Sequence, residues 1–160
     1  MDISYLSKSA QIVQDALLQK NVRFKVVELS ESTRSASDAA KAIGCTEAQI
    51  IKSLIFKTKE TGMPILILAS GINRVNEKSV EAALGQQIAK ADADFVREMT
   101  GFAIGGVPPI GHKNDILTLV DSDLINYEEL WAAAGTPNSV FSLKSNQLLD
   151  LTNGKLLDIK

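Results

Sequence analysis

The chain has 160 residues, of which 45% are hydrophobic and 22% charged, and its formal net charge is −2. This balance excludes wholesale disorder and a broad basic grip on a polyanion, and the length fits one domain spanning residues 1–160. A single cysteine, Cys45, and a single histidine, His112, exclude an internal disulfide and a Cys/His zinc cluster, so neither a metal nor another cofactor is expected.

The first eighteen residues, MDISYLSKSAQIVQDALL, contain no basic leader and no continuous apolar stretch. The longest apolar run elsewhere, Pro64–Ala69, is far too short to span a bilayer, and a cytoplasmic protein without a membrane partner is expected. Leu6, Ala10, Val13 and Leu17 recur at helical spacing and predict an amphipathic first helix over 4–20. Residues 22–29 alternate apolar with polar and read as a half-buried strand. Helices are predicted at 36–43, 76–84, 93–100 and 127–134, each followed by a glycine (Gly44, Gly85, Gly101, Gly135) able to end it in the left-handed conformation. Asn126 and Glu129 read as a capping box for the last of these. Strands are predicted at 50–58, 64–69, 87–90, 102–107, 115–120, 139–143 and 155–159. This order predicts an α+β fold, one domain with a mixed or curved sheet and no internal repeat.

Charge is unevenly spread. Residues 1–60 carry 9 basic and 7 acidic groups, whereas residues 115–160 carry 3 and 7. Recognition of a nucleic acid would therefore be local and salt-sensitive.

Two stretches could carry chemistry. In Ile50-Ile-Lys-Ser-Leu-Ile-Phe56, period-two alternation puts Lys52 on the same face as Ile50, Leu54 and Phe56. An ammonium there needs an anion or acceptors, unless its stem packs on the sheet while its head reaches water. The stretch from Gly101 to His112 holds four of the ten glycines, two of the four prolines and the only histidine. Gly105-Gly106 permits backbone angles or close approaches closed to other residues, and Pro108-Pro109 stiffens the chain beyond them. The result is either a structural turn or a loop whose main-chain donors hold an anion or a developing oxyanion. His112 is a candidate acid, base or orienting donor, or simply a structural hydrogen bonder. Cys45 paired with His112 would suggest a thiol hydrolase, but no nucleophile signature surrounds it, and no GxSxG elbow is present. The pairs Asp92/Asp94 and Asp121/Asp123 stand at predicted helix starts, where capping explains them.

The order of three segments is distinctive: Gln49-Ile-Ile-Lys-Ser-Leu-Ile-Phe56, then Leu68-Ala-Ser-Gly-Ile-Asn-Arg-Val-Asn76 with Leu84-Gly85, then Gly105-Gly-Val-Pro-Pro-Ile-Gly-His112. Together they resemble the bacterial YbaK/prolyl-tRNA-synthetase-associated family, over roughly residues 20–160. The resemblance implies a central curved, barrel-like mixed sheet flanked by helices, and hydrolysis of the ester between a wrong amino acid and tRNA. It matches the family's functional lysine to Lys52, followed by Ser53 where many relatives carry threonine or asparagine, and its GxxxP loop to Gly105–Pro109. It implies catalytic roles for Lys52, Gly105 and Gly106, with Phe24, Ser53, Pro109 and His112 binding substrate. The implied partner is a mischarged aminoacyl-tRNA, tRNA(Pro) first, carrying alanine, cysteine, serine, threonine or 2-aminobutyrate, presented by prolyl-tRNA synthetase or another carrier. The alternative is a non-catalytic module that binds the tRNA end or a synthetase.

Overall fold

The computed structural model describes residues 6–20, 26–29 and 35–160. Helix α1 (Lys8–Gln19) starts where the Ser7 hydroxyl accepts from the Ala10 amide, and it buries Ala10, Val13 and Leu17. Strand β1 (Val27–Glu28) is short, and half of the strand predicted at 22–29, residues 22–25, lies outside the described residues. Helix α2 (Ala36–Ile43) is capped by Ser35 and closed by left-handed Gly44. The hairpin β2 (Ile50–Thr58) and β3 (Pro64–Ser70) forms the middle of the sheet. Helices α3 (Glu77–Leu84) and α4 (Ala93–Thr100) flank it, capped by Asn76 and Asp92 and stopped by Gly85 and Gly101, with β4 (Ile88–Lys90) between them. The chain continues through β5 (Leu117–Asp121), β6 (Glu129–Ala133), β7 (Ser139–Lys144), α5 (Ser145–Thr152) and β8 (Lys155–Leu157).

The strands form one mixed sheet in the order β1-β7-β6-β2-β3-β5-β8, with β4 pairing to β2 beside that path. β2 runs parallel to β6, β3 to β5 and β5 to β8, and the other pairs are antiparallel. The fold is α+β, and its curved sheet stays open, with β1 and β8 at the ends. β3 is buried on both faces. Leu66 and Leu68 join Ile51, Ile55, Val120 and α1 in the larger core. Ile65, Ile67 and Ala69 join Phe56, Leu119 and Val80 in the smaller one. Burying each such side chain contributes about 1.5–3 kcal/mol relative to leaving it exposed.

Three local expectations are corrected. Residues 127–134 form no helix: strand β6 replaces it, with Leu130, Ala132 and Ala134 buried between more exposed neighbours, a period-two pattern locked by pairing to β7 and β2. The helix-forming run Glu-Glu-Leu-Trp-Ala-Ala-Ala is overruled by its tertiary setting. Asn126 accordingly ends a 3-10 turn (Ser122–Asn126), and Glu129 accepts from the Trp131 indole instead of capping a helix. Residues 102–107 enter no ladder, because Gly105 takes φ +93° and the chain turns there. Helix α5 has no counterpart among the predicted elements; it buries Leu148 and Leu151.

Candidate active site

The site begins at a break in the sheet. β2 pairs with β3 from Ile51 to Lys57, but on its other side β6 covers only Ile50 and Ile51, and β4 only Phe56 to Thr58. A cleft opens along Lys52–Ile55. Its first lobe, about 430 Å³, runs between the start of α2 and β6, and its second, about 490 Å³, runs toward Arg74, Glu77 and Lys90. Both volumes suit a small-molecule site. Lys52, Ser53, Leu54, Ile104, Gly105 and Val107 line both lobes, so the two meet at the lysine strand and the glycine loop.

Lys52 is half-buried, and its Nζ donates to the Asn73 carbonyl. Asn73 is itself fixed: its side-chain amide donates to Asp121 and to Asp123, each at 2.8 Å, and its main-chain N–H donates to the Ser70 carbonyl. Asp121 is wholly buried and also accepts from the amides of Ser70 and Asp123, both at 3.0 Å. Three donors on one carboxylate make its burial tolerable. Lys160 closes the outer side with a 2.9 Å ion pair to Asp123. The chain Asp121–Asn73–Lys52 thus sets the height of the ammonium in the cleft. Burial pushes the Lys52 pKa below its ordinary value, Glu47 and Asp121 oppose that shift, and Arg74 adds to it. Lys52 forms no ion pair within 4.0 Å among the described residues, so it keeps donors for a ligand.

The glycine loop divides its work between two residues. Gly105 lines both lobes, and its main-chain groups form no hydrogen bond with the described residues. Gly106 is buried and lines neither lobe. Its N–H donates to the Ala103 carbonyl at 3.0 Å and its carbonyl accepts from Gly135 at 2.9 Å. A Cβ on Gly106 would come within 2.8 Å of the Thr136 main chain, so glycine is required there for close packing.

The remaining expected residues separate from the cleft. Pro109 is buried and lines neither lobe. His112 contacts the Pro108 carbonyl through Nε2 at 2.6 Å and stands edge-on to Phe102; burial lowers its pKa, opposed by that hydrogen bond. Phe24 lies outside the described residues. Cys45 packs beside Ile50 and Trp131, and burial raises its pKa, which disfavours the thiolate a nucleophile needs. Among the described residues no group of three or more His, Cys, Asp or Glu could hold a metal ion, and no helix is long and apolar enough to cross a membrane.

Sequence reasoning missed the walls. Ser35, Ala36 and Ala39 belong to a helix start read only as a helix, and Trp131 and Ala132 were hidden by the wrong helix at 127–134. Asn73 stood inside the 68–76 segment without a role, and Asp121 was read as a cap. It is one, accepting from Asp123, while also holding Asn73.

A lysine strand thus faces a glycine loop across a two-lobed cleft. The family model described as "Aminoacyl-tRNA editing domain" matches residues 30–151. The chain belongs to this editing-domain family. The resemblance to the YbaK/prolyl-tRNA-synthetase-associated proteins therefore holds. This editing domain is 30% identical to the uncharacterised protein YwhH of Bacillus subtilis, across 92% of this chain and 94% of that one. It is 27% identical to an Enterococcus faecalis protein, EbsC, provisionally named a Cys-tRNA(Pro)/Cys-tRNA(Cys) deacylase, across 88% and 87%. A proline–tRNA ligase of Limosilactobacillus fermentum is 30% identical over 118 residues, which are 71% of this chain but only 19% of the ligase. Among solved structures, one provisionally described as a trans-editing enzyme for prolyl-tRNA synthetase superposes with a TM-score of 0.92 at 44% identity, covering 98% of this chain and 99% of that one.

Proposed function

We propose that this editing domain is an aminoacyl-tRNA deacylase that hydrolyses the ester of a small, wrongly attached amino acid, with tRNA(Pro) as the first candidate carrier. The observation that carries this reading is Lys52: an ammonium with no carboxylate partner in hydrogen-bond reach among the described residues, fixed through Asn73 at the junction of two lobes that Gly105 also lines. The lobes differ in chemistry. Small residues (Ser35, Ala36, Ser37, Ala39, Ala132, Ala133) and Trp131 line the first, which suits a short side chain. Lys52, Arg74 and Lys90 line the second against one acid, Glu77, which suits the phosphate of a terminal nucleotide. The names of EbsC and of the trans-editing structure support the same substrate class.

In the reaction, water adds to the ester carbonyl carbon, the bond from that carbon to the ribose oxygen breaks, and the ribose oxygen takes up a proton. The products are a free amino acid and uncharged tRNA. Lys52 neutralises a phosphate or ester oxygen, and the Gly105 amide, which has no partner among the described residues, donates to the oxyanion; loss of one such donor typically costs about 10²–10³ in rate. Editing is needed because a synthetic pocket rejects a substrate lacking one methylene by only about 1–3 kcal/mol. The weak net charge of −2 fits a protein that takes its tRNA from a carrier such as prolyl-tRNA synthetase.

The test is incubation of the purified protein with a panel of preloaded aminoacyl-tRNAs and with free aminoacyl esters. Turnover confined to aminoacyl-tRNA is expected. Binding without turnover would make the chain a tRNA-end module, and equal cleavage of free esters would make it a general esterase.

A further inference from the structure

The break in the sheet leaves specific main-chain groups bare. Gly71 N–H donates to the Ile50 carbonyl at 2.8 Å, and Thr58 N–H donates to the Met63 carbonyl at 2.9 Å. In an antiparallel pair bonded this way, the even-numbered residues of β2 direct their N–H and C=O groups toward β3 and the odd-numbered ones direct theirs away. On that far side Ile51 is covered by β6 and Lys57 by β4, and the Ile55 carbonyl accepts from Ala91 at 3.3 Å. The N–H and C=O of Ser53 and the N–H of Ile55 have no main-chain partner among the described residues. Ser53 lines both lobes. Its hydroxyl oxygen is buried and has no hydrogen-bond partner among the described residues, so what this half-buried residue offers the cleft is its main chain and Cβ.

We propose that the aminoacyl group is recognised as a one-residue strand laid into this gap. Its α-ammonium donates to the Ser53 carbonyl and its ester carbonyl accepts from the Ser53 amide, the two bonds of a β-bridge. This rests on the deacylase reading above and adds to it the substrate feature that is read: a donor on the α-carbon, whatever the side chain. Main-chain recognition suits an editing site, because the bridge contacts are common to all α-amino acids and leave the first lobe to sort side chains by size. It also leaves Lys52 free for the nucleotide side, since its side chain stands on the opposite face of β2 from that of Ser53. The competing recogniser is Glu47, a carboxylate that also lines the first lobe.

The experiment compares single-turnover hydrolysis of alanyl-tRNA(Pro) with that of propionyl-tRNA(Pro), in which hydrogen replaces the α-amine. Each rate is divided by its spontaneous rate, because the ammonium activates the ester by itself. The same pair is run with the Glu47→Gln protein. In parallel, the amide resonances of Ser53 and Ile55 are followed by NMR as the non-hydrolysable 3′-alanylamido-3′-deoxyadenosine is added. The normalised propionyl rate is expected to be lower by at least tenfold, with the preference retained in Glu47→Gln and both amides shifted. Equal normalised rates, a preference that vanishes in Glu47→Gln, or unmoved amides would overturn the bridge while leaving deacylation standing. If no tRNA ester is cleaved, the proposed function fails instead, and the amide shifts still decide whether the gap binds an aminoacyl group.

Discussion

Replacing Lys52 with alanine separates a site residue from a structural one. In the folded protein the ammonium has one hydrogen bond, to the Asn73 carbonyl, and no ion pair within 4.0 Å among the described residues. A hydrogen bond from a charged group contributes about 1.5–3 kcal/mol, and Asn73, whose carbonyl would lose its donor, is buried and lines neither lobe, so the loss should fall in that range. For a chain of this size that is a fall in Tm of about 3–12 °C. Part of even this is recovered, since burial already works against the charge. Loss of a charge-assisted contact in the transition state, worth about 1.5–3 kcal/mol, would slow deacylation by about tenfold to 150-fold. Thermal melting and single-turnover hydrolysis of the best panel substrate read the two effects. Lys52→Met, which keeps the stem, should match Lys52→Ala in rate, and Lys52→Arg should recover activity only in part, because a planar guanidinium does not reproduce a point charge. A folded Lys52→Ala protein with parental rates would refute the site, and an unfolded one would make the lysine structural.

Gly106→Ala should destabilise by several degrees in a melting experiment, because its Cβ would press on the main chain of Gly135 and Thr136 rather than on a flexible side chain. Ser53→Ala should melt at or above the parental temperature, since it removes a buried hydroxyl with no partner among the described residues; a clear fall would show that the hydroxyl is satisfied in solution. Because burial lowers the His112 pKa below its ordinary 6.5, the unfolded chain binds its proton first. The resulting stability is complete above about pH 6.5 and declines as pH falls toward the folded pKa, so melting curves from pH 7.5 to 5 should be flatter for His112→Asn than for the parent. Cys45→Ala should leave deacylation unchanged; loss of activity in a folded protein would restore a thiol mechanism.

The legible parts of the fold are those whose local signals agree with their setting. The predicted β2 has its observed limits, and α2, α3 and α4 come within a residue of theirs, because caps and left-handed glycines bracket apolar periodicities. β6 is illegible because Glu128–Ala134 has helix-forming composition, and only pairing to β7 and β2 makes it a strand. That error conceals one wall of the first lobe, formed by Trp131, Ala132 and Ala133. Of the candidate residues, Lys52, Ser53 and Gly105 converge on the cleft, whereas Gly106, Pro109 and His112 sit behind it. Glycine and proline content alone could not separate lining from support: Gly105 and Gly106 are adjacent, and it is the packing of Gly106 against Thr136 and its main-chain bonds to Ala103 and Gly135 that set it apart.

The site's division of labour comes from which elements are tied down. Lys52 and Ser53 lie on the strand paired along its whole length to the fully buried β3, and Asn73 is tied to buried Asp121, so the groups proposed to meet the ester and phosphate have little freedom to move. The walls that set the size of the first lobe come from elsewhere: the start of α2, the tip of the glycine loop at Ile104, which is 59% exposed, and the β6 edge. None of these walls contributes to the Lys52–Asn73–Asp121 chain. A larger residue at Ala36 or Ala133 would shrink the lobe by the volume of its side chain without touching the groups proposed to perform the hydrolysis. On the proposed assignment, substrate size and catalytic geometry are therefore separable: changes confined to α2 and β6 would alter the first lobe and leave the Lys52–Asn73–Asp121 chain in place.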